Sequence, residues 1–456
     1  MSKLDRHIQQ KLGEWAAAGL ITSEQAVAIR SHEPQEKPGL PWGVVIFAGF
    51  GAVVLGLGVI LLFAYNWEQM HKFAKLAVVF AALALAHGTA LGLRRRESWG
   101  GFAESVQLLG TMLFGAGIWL VAQIYHISAH YPNAFIVWAL GALLLAWVLP
   151  SVSQGLLASV LLVIWAGTEV GSFGKHLAVA PLLVLFGSGW LAWRLRSSVL
   201  LAATAGSFAV SAATGFFYNS ESVFLILSSV AVLYGSLAWL VSGHAAFPSA
   251  AVILRVSGMV IYFPLLFILT FHDVAEELLG HRGSDSSTFQ GADCIPALLL
   301  VIVALGVTGC AMRRAVDDQS CNTPEFRERL VAPAVILLML LVFSVLWRLD
   351  VHSFKSVAAV VSTVASVIFL YHTVANLWRG CRDTLLSSVV GGSLLIAVWV
   401  FARYADLFDS LLARGVMFMF MGAALFAVAI LYHRRKNKAR AGGEGPASVA
   451  VNEISD

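Results

Sequence analysis

Charge is what this sequence has least of. Of 456 residues, 12% are Asp, Glu, Lys or Arg while 59% are apolar, and the mean hydropathy is +0.80. A water-soluble domain carries about 25% charged residues alongside about 45–50% apolar ones. So few charges cannot cover so large an apolar interior, which excludes a soluble globular fold. Cysteine is also scarce. The four (Cys294, Cys310, Cys321 and Cys381) form no CxxC pair, so neither a disulfide framework nor a thiolate metal centre is expected. They read as small apolar fillers or free thiols. The formal net charge of +4 comes without a basic stripe outside the short polar segments, which argues against nucleic-acid binding. No GxxxxGK[ST], GxSxG or HExxH motif occurs, so no nucleotide cradle, nucleophile elbow or zinc helix is expected, and no metal or cofactor is implied. The first apolar run begins only at Trp42, behind five acids and five bases. A cleavable leader would place it within the first ~30 residues. The first apolar run is therefore expected to remain as an anchor.

What the chain has in abundance is apolar runs of spanning length. A helix crosses ~30 Å of hydrocarbon with about 20 residues, at about 1.5 Å each. Candidate spans are 42–65, 75–93, 106–125, 134–149, 155–170, 177–193, 198–217, 222–241, 250–271, 295–312, 331–347, 357–372, 385–401 and 415–432. The expected fold is therefore all-α, a polytopic transmembrane helical bundle of about fourteen spans. Only Pro150 to Gln154 separates the fourth and fifth spans, so a re-entrant hairpin there, leaving twelve, is the alternative.

The basic residues test that count. Cytoplasmic loops carry an excess of Lys and Arg. With the N-terminus inside, about 21 of the 30 bases fall on the cytoplasmic side, including Arg94-Arg95-Arg96, Arg313, Arg314 and the run from Arg434 to Arg440. About eight fall outside, and Arg255 lies within a span, from which it is expected to snorkel to the cytoplasmic surface. Both termini are thus expected in the cytoplasm.

Three regions follow from this reading. Residues 1–41 are a small cytoplasmic helical hairpin with a Pro-rich linker. Leu4, Ile8, Leu12 and Trp15 recur at helical spacing, Gly19 offers a stop, and Thr22 or Ser23 can cap a second helix. This hairpin is either a membrane-entry cap or a docking point for a protein partner. Residues 42–433 are the membrane domain, with lipids as partners. Residues 434–456 are a basic stretch suited to anionic lipid, then a segment of disordered composition. The stretch HDVAEELLG from His272 is expected to form a short surface helix. Oligomeric state is not readable.

The first and third spans share a fragment, Gly56-Leu-Gly58 against Gly115-Ala-Gly117, each running on to a tyrosine, Tyr65 or Tyr125. Either a duplicated hairpin or chance in a glycine-rich membrane protein accounts for it. Three stretches together carry a family resemblance: LGEWAAAGLITSEQAVAI, GLGVILLFAYNWE, and GTMLFGAGIWLVAQIYHIS followed by WALG. They resemble the bacterial membrane-protein family catalogued as domain of unknown function 2157, best over residues 1 to about 150. The resemblance implies a protein of the bacterial cytoplasmic (inner) membrane. It brings no activity, cofactor or catalytic residue.

Polar residues at membrane depth cost ~2.5–3.5 kcal/mol for a central charge, which makes them functional candidates. Asn66, Trp67 and Glu68 close the first span, as an interfacial stop with an aromatic anchor or as a carboxylate facing a polar cavity. Gln123, Tyr125 and His126 close the third, where Gln123 and His126, three apart, would share a helix face. With His71 and His130 nearby, a proton or solute site, a metal site and a plain wetted surface all stay open. His87 reads as a packed neutral imidazole. Glu169 is expected to pair with Lys175 or to rest at the interface. No catalytic residue stands out, and enzymatic activity is not expected.

Three functions fit. The first is transport or binding of a small or lipid-like solute: fourteen helices can enclose a pathway, and the scarcity of ionisable groups near mid-depth, which counts against ion coupling, suits a lipid-like cargo better than an ion. The second is a scaffold or sensor working through the N-terminal hairpin. The third is an enzyme acting on lipid-linked substrates at the outer face, where Asp273, Glu276, Glu277, Asp350, Asp406 and Asp409 gather without a catalytic spacing.

Overall fold

A computed structural model describes residues 11–12, 15, 18–22, 24–25, 70–96, 99–127, 130–215, 220–280, 295–318, 323, 326–348, 354–383 and 386–407, with scattered positions from 419 to 434. Every regular element among these residues is helical. Contacts divide the chain into two compact units, Met1–Ala77 and Val78–Asp456.

In the first unit the turn at Gly19 follows the sequence reading. Gly19 adopts φ +71°, and the Leu20 amide donates to the Trp15 carbonyl at 3.0 Å, the 6→1 closure of a helix end. Thr22 then opens a capping box. The Gln25 amide donates to Thr22 Oγ1 at 3.1 Å, and the Thr22 amide to Gln25 Oε1 at 2.9 Å.

The helices that follow are α1 (Lys72–Arg94), α2 (Gly100–Ile124), α3 (Pro132–Val148), α4 (Val152–Phe173), α5 (Val179–Leu195), α6 (Ser198–Gly215) and α7 (Ser220–Leu240). After these come α8 (Ser249–Leu269), α9 (His272–Gly280), α10 (Ile295–Asp317), α11 (Ala332–Arg348), α12 (Phe354–Arg382) and α13 (Leu386–Leu407). Eight of them are long and apolar enough to cross a membrane, and α3, α5 and parts of α11 and α13 are shorter apolar helices. The expected spans 42–65 and 415–432 fall on or mostly on residues outside those described. The others each meet one of these helices.

The helices present apolar side chains outward. Phe80, Leu144 and Phe186 are each more than 60% exposed. Water would not tolerate such a belt, whereas hydrocarbon does. Lipid also removes the hydrophobic drive for helices to associate, so close packing of small residues takes over. Ala139, Ala142 and Ala146 recur along one face of α3 and are fully buried, as are Ala158, Leu162 and Ala166 on α4, its packing neighbour. Gly258 of α8 brings its backbone against the Ala231 carbonyl of α7.

Cross-helix hydrogen bonds satisfy some of the polar groups this packing buries. Tyr234 donates to the Ala205 carbonyl at 2.7 Å, and the Ser236 and Thr308 hydroxyls meet at 2.8 Å. Tyr262 and His372 Nε2 meet at 3.1 Å. His372 was expected at the end of its span. Instead α12 continues to Arg382 and buries the imidazole against Tyr262 and Phe263.

Two local features differ from a plain reading of the runs. The 177–193 run becomes α5, whose middle, Val184–Gly189, is a π-helical stretch. The segment from His272 does form a helix, α9, but it packs on α12 with Ala275 fully buried rather than lying free on the surface. Cys310 is exposed and Cys381 buried, both as free thiols; Cys294 and Cys321 lie outside the described residues.

Candidate functional site

Between α3 and α4 stand only Leu149, Pro150 and Ser151. So short a link between helices that pack along one another forces them antiparallel. Glu104 on α2 fixes the link. Its Oε1 accepts from Ser151 Oγ at 2.7 Å, Ser153 Oγ at 2.9 Å and the Ser153 amide at 3.2 Å. Ser151 is itself the N-cap of α4, accepting from the Gln154 amide. A carboxylate beside the first turn of a helix also meets the positive end of its dipole.

Antiparallel packing carries the far end of α4 back to the start of α3. There Glu169 Oε1 lies 2.7 Å from His130 Nε2, across 39 residues of sequence. Glu169 is one turn from the end of α4, about 6 Å along the axis. Its side chain is 5% exposed and that of His130 25%. An ionised carboxylate can only accept, so in that state Nε2 donates the shared hydrogen and Nδ1 is left as the second polar atom of the ring. Among the described residues, Glu169 Oε2 is buried with no hydrogen-bond partner. The Tyr131 hydroxyl meets Ser172 Oγ at 2.8 Å, and Phe173 packs 4.0 Å from the His130 ring and 5.5 Å from the Tyr131 ring, centroid to centroid.

This polar corner ends an apolar groove of about 460 Å³. Its walls come from α1 (Val79, Phe80), α2 (Phe114, Trp119), the turn after α2 and α3 (Ala134, Val137). Gly117, Ala122 and Ala134 contribute little bulk and so leave it open. His130, Tyr131 and Asn133 supply its polar groups. Phe80 and Val137 are exposed, so the groove opens sideways, where a bilayer's acyl chains would be.

The expected residues of the third span sit otherwise. Gln123, Tyr125 and His126 are exposed and do not line the groove. Gln123 and His126 do not share a helix face, because α2 ends at Ile124. The Ile127 amide closes on the Ala122 carbonyl at 2.9 Å, and His126 takes the left-handed position, φ +51°, that a glycine usually fills. Asn66, Trp67 and Glu68 lie outside the described residues. Glu169 pairs with His130, not with the Lys175 side chain; Lys175 only donates its backbone amide to the Glu169 carbonyl. His87 packs against Gly110 of α2. No group of three or more His, Cys, Asp or Glu able to hold a metal occurs among the described residues.

Residues 13–155 match the family model described as predicted membrane protein (DUF2157), roughly the first third of the chain. The match takes in α1 to α3 and the start of α4, hence His130, Tyr131 and the groove, but stops short of Glu169. No curated protein matches the chain. No solved structure matches it either.

Proposed function

We propose that this membrane protein binds a lipid-like amphiphile in the groove between α1, α2 and α3, with the tail on the apolar walls and the head at His130. The carrying observation is the His130–Glu169 pair, with Glu169 buried and His130 half-buried at the end of an otherwise apolar, laterally open groove. Apolar pockets with a few convergent polar groups are the usual form of a small-molecule site. Transport of the same solute is the extension of this reading. It rests on a polytopic architecture of about fourteen crossings, with both termini in the cytoplasm of a bacterial inner membrane. The capped turn at Gly19–Gln25 favours a second role, docking of a protein partner on the N-terminal hairpin.

Native mass spectrometry of the purified chain tests the binding reading. The wild type should retain bound amphiphile, and Ala134→Phe, which fills the groove, should lose it while melting within a few degrees of wild type. Equal retention by a folded A134F would remove the groove from consideration. A chain lacking residues 1–41 should keep the amphiphile. If it loses the amphiphile while still folded, binding belongs to the hairpin region.

A further inference from the structure

The polar corner also bears on the kind of head the groove would take. Three observations converge. Glu169 is buried with one oxygen bonded to His130 and the other, among the described residues, without a partner, so a carboxylate there is only partly answered by them. Beside it, Tyr131 and Phe173 are each about 40% exposed and pack on one another, and Phe173 also packs on the His130 ring. Aromatic faces offer negative potential to a cation, and a carboxylate behind them adds to it. Lys175, the nearest base in sequence, makes no ion pair with Glu169; it is exposed, and water screens its charge more than burial allows for the carboxylate.

We infer that the head is an ammonium group, seated on the aromatic faces of Tyr131 and Phe173 in the field of Glu169. This rests on the groove reading above. Contact with the carboxylate is not needed, because attraction falls only as the inverse of distance and is strong where water is excluded. An anionic head would meet the same field with the opposite sign.

The probes are phosphatidylethanolamine and phosphatidylglycerol of identical acyl chains, each titrated onto the delipidated full-length protein and read by native mass spectrometry. Free ethanolamine serves as the arm without a tail. The wild type should prefer the ammonium lipid by about tenfold, the scale of a partly desolvated cation–π contact. Glu169→Gln, which keeps shape and removes charge, should erase the preference, and Phe173→Leu should reduce it. Free ethanolamine should bind far more weakly than the lipid. Equal binding of both lipids, or tighter binding of the glycerol lipid, overturns the head assignment by wild-type data alone. If A134F then still loses both, the groove stands. If neither lipid binds the wild type, or A134F binds both as well as wild type does, the groove reading falls with the head. Ethanolamine binding as tight as the lipid's would make the site one for small amines and overturn the amphiphile. A preference unchanged in E169Q would assign recognition away from the carboxylate.

Discussion

The indole of Trp138 lies so close over Gly115 that a β-carbon built there would stand 2.2 Å from the ring, and Phe114 covers Gly141 in the same way, at 2.8 Å. Each helix of the α2–α3 pair thus sends an aromatic side chain onto a glycine of the other. The groove opens beside this contact, and Phe114 belongs to both.

Gly115→Ala should therefore destabilise the protein by about 1–3 kcal/mol, the usual cost of forcing volume into a packed interface. Gly92→Ala is the control. It sits in the last turn of α1 with nothing within 4 Å of the new carbon, and should be neutral or stabilising by up to ~1 kcal/mol. Thermal unfolding in detergent, followed by tryptophan fluorescence, compares them. Equal melting temperatures for the two variants would refute the interlock.

Glu104 holds the link between α3 and α4 through three donors converging on one oxygen. Glu104→Ala should cost about 1–2 kcal/mol, since charge-assisted hydrogen bonds exceed neutral ones. Glu104→Gln should cost less, because an acceptor oxygen remains. Because this link sets where Glu169 arrives, E104A should also weaken amphiphile retention. A variant as stable and as well loaded as wild type would show that the turn holds without it.

Opposite ends of the bundle should face opposite compartments. In a background with its cysteines replaced, Arg96→Cys and Lys175→Cys are separated by α2, α3 and α4, an odd number of crossings. A membrane-impermeant maleimide applied to sealed cells should reach position 175 and not 96. Labelling of both, or of neither until the cells are opened, would mean that one of the three helices does not cross; labelling of 96 alone would invert the orientation.

Much of the helical layout was legible, because each run is about as long as a bilayer is thick and bounded by charge or proline. Lys72–Arg94 and Ile295–Asp317 fall on expected runs within a few residues at the start, but continue further at the end. Boundaries at polar residues were read less well. The 357–372 run ends at His372 by hydropathy, yet the helix goes on to Arg382, because Tyr262 of another helix satisfies the imidazole. The candidate site was legible only in pieces. Both His130 and Glu169 were visible as polar residues near span ends, but their pairing depends on the antiparallel return of α4 along α3. Hydropathy carries no information about which helices are neighbours. The shared face expected of Gln123 and His126 was lost for a different reason: three-residue spacing implies a shared face only while the helix lasts, and a left-handed residue ended it.

The hydrogen bond from α8 to α12 joins residues 110 positions apart. At about 5–20 residues per second, a ribosome needs about 5–20 s to make that stretch of chain. A hydroxyl on Tyr262 entering the bilayer with α8 has no imidazole to meet until α12 arrives. During that interval the half-made protein carries an unanswered polar group at membrane depth. Until then the hydroxyl has to find another partner, so the order of synthesis becomes part of how this bundle is assembled.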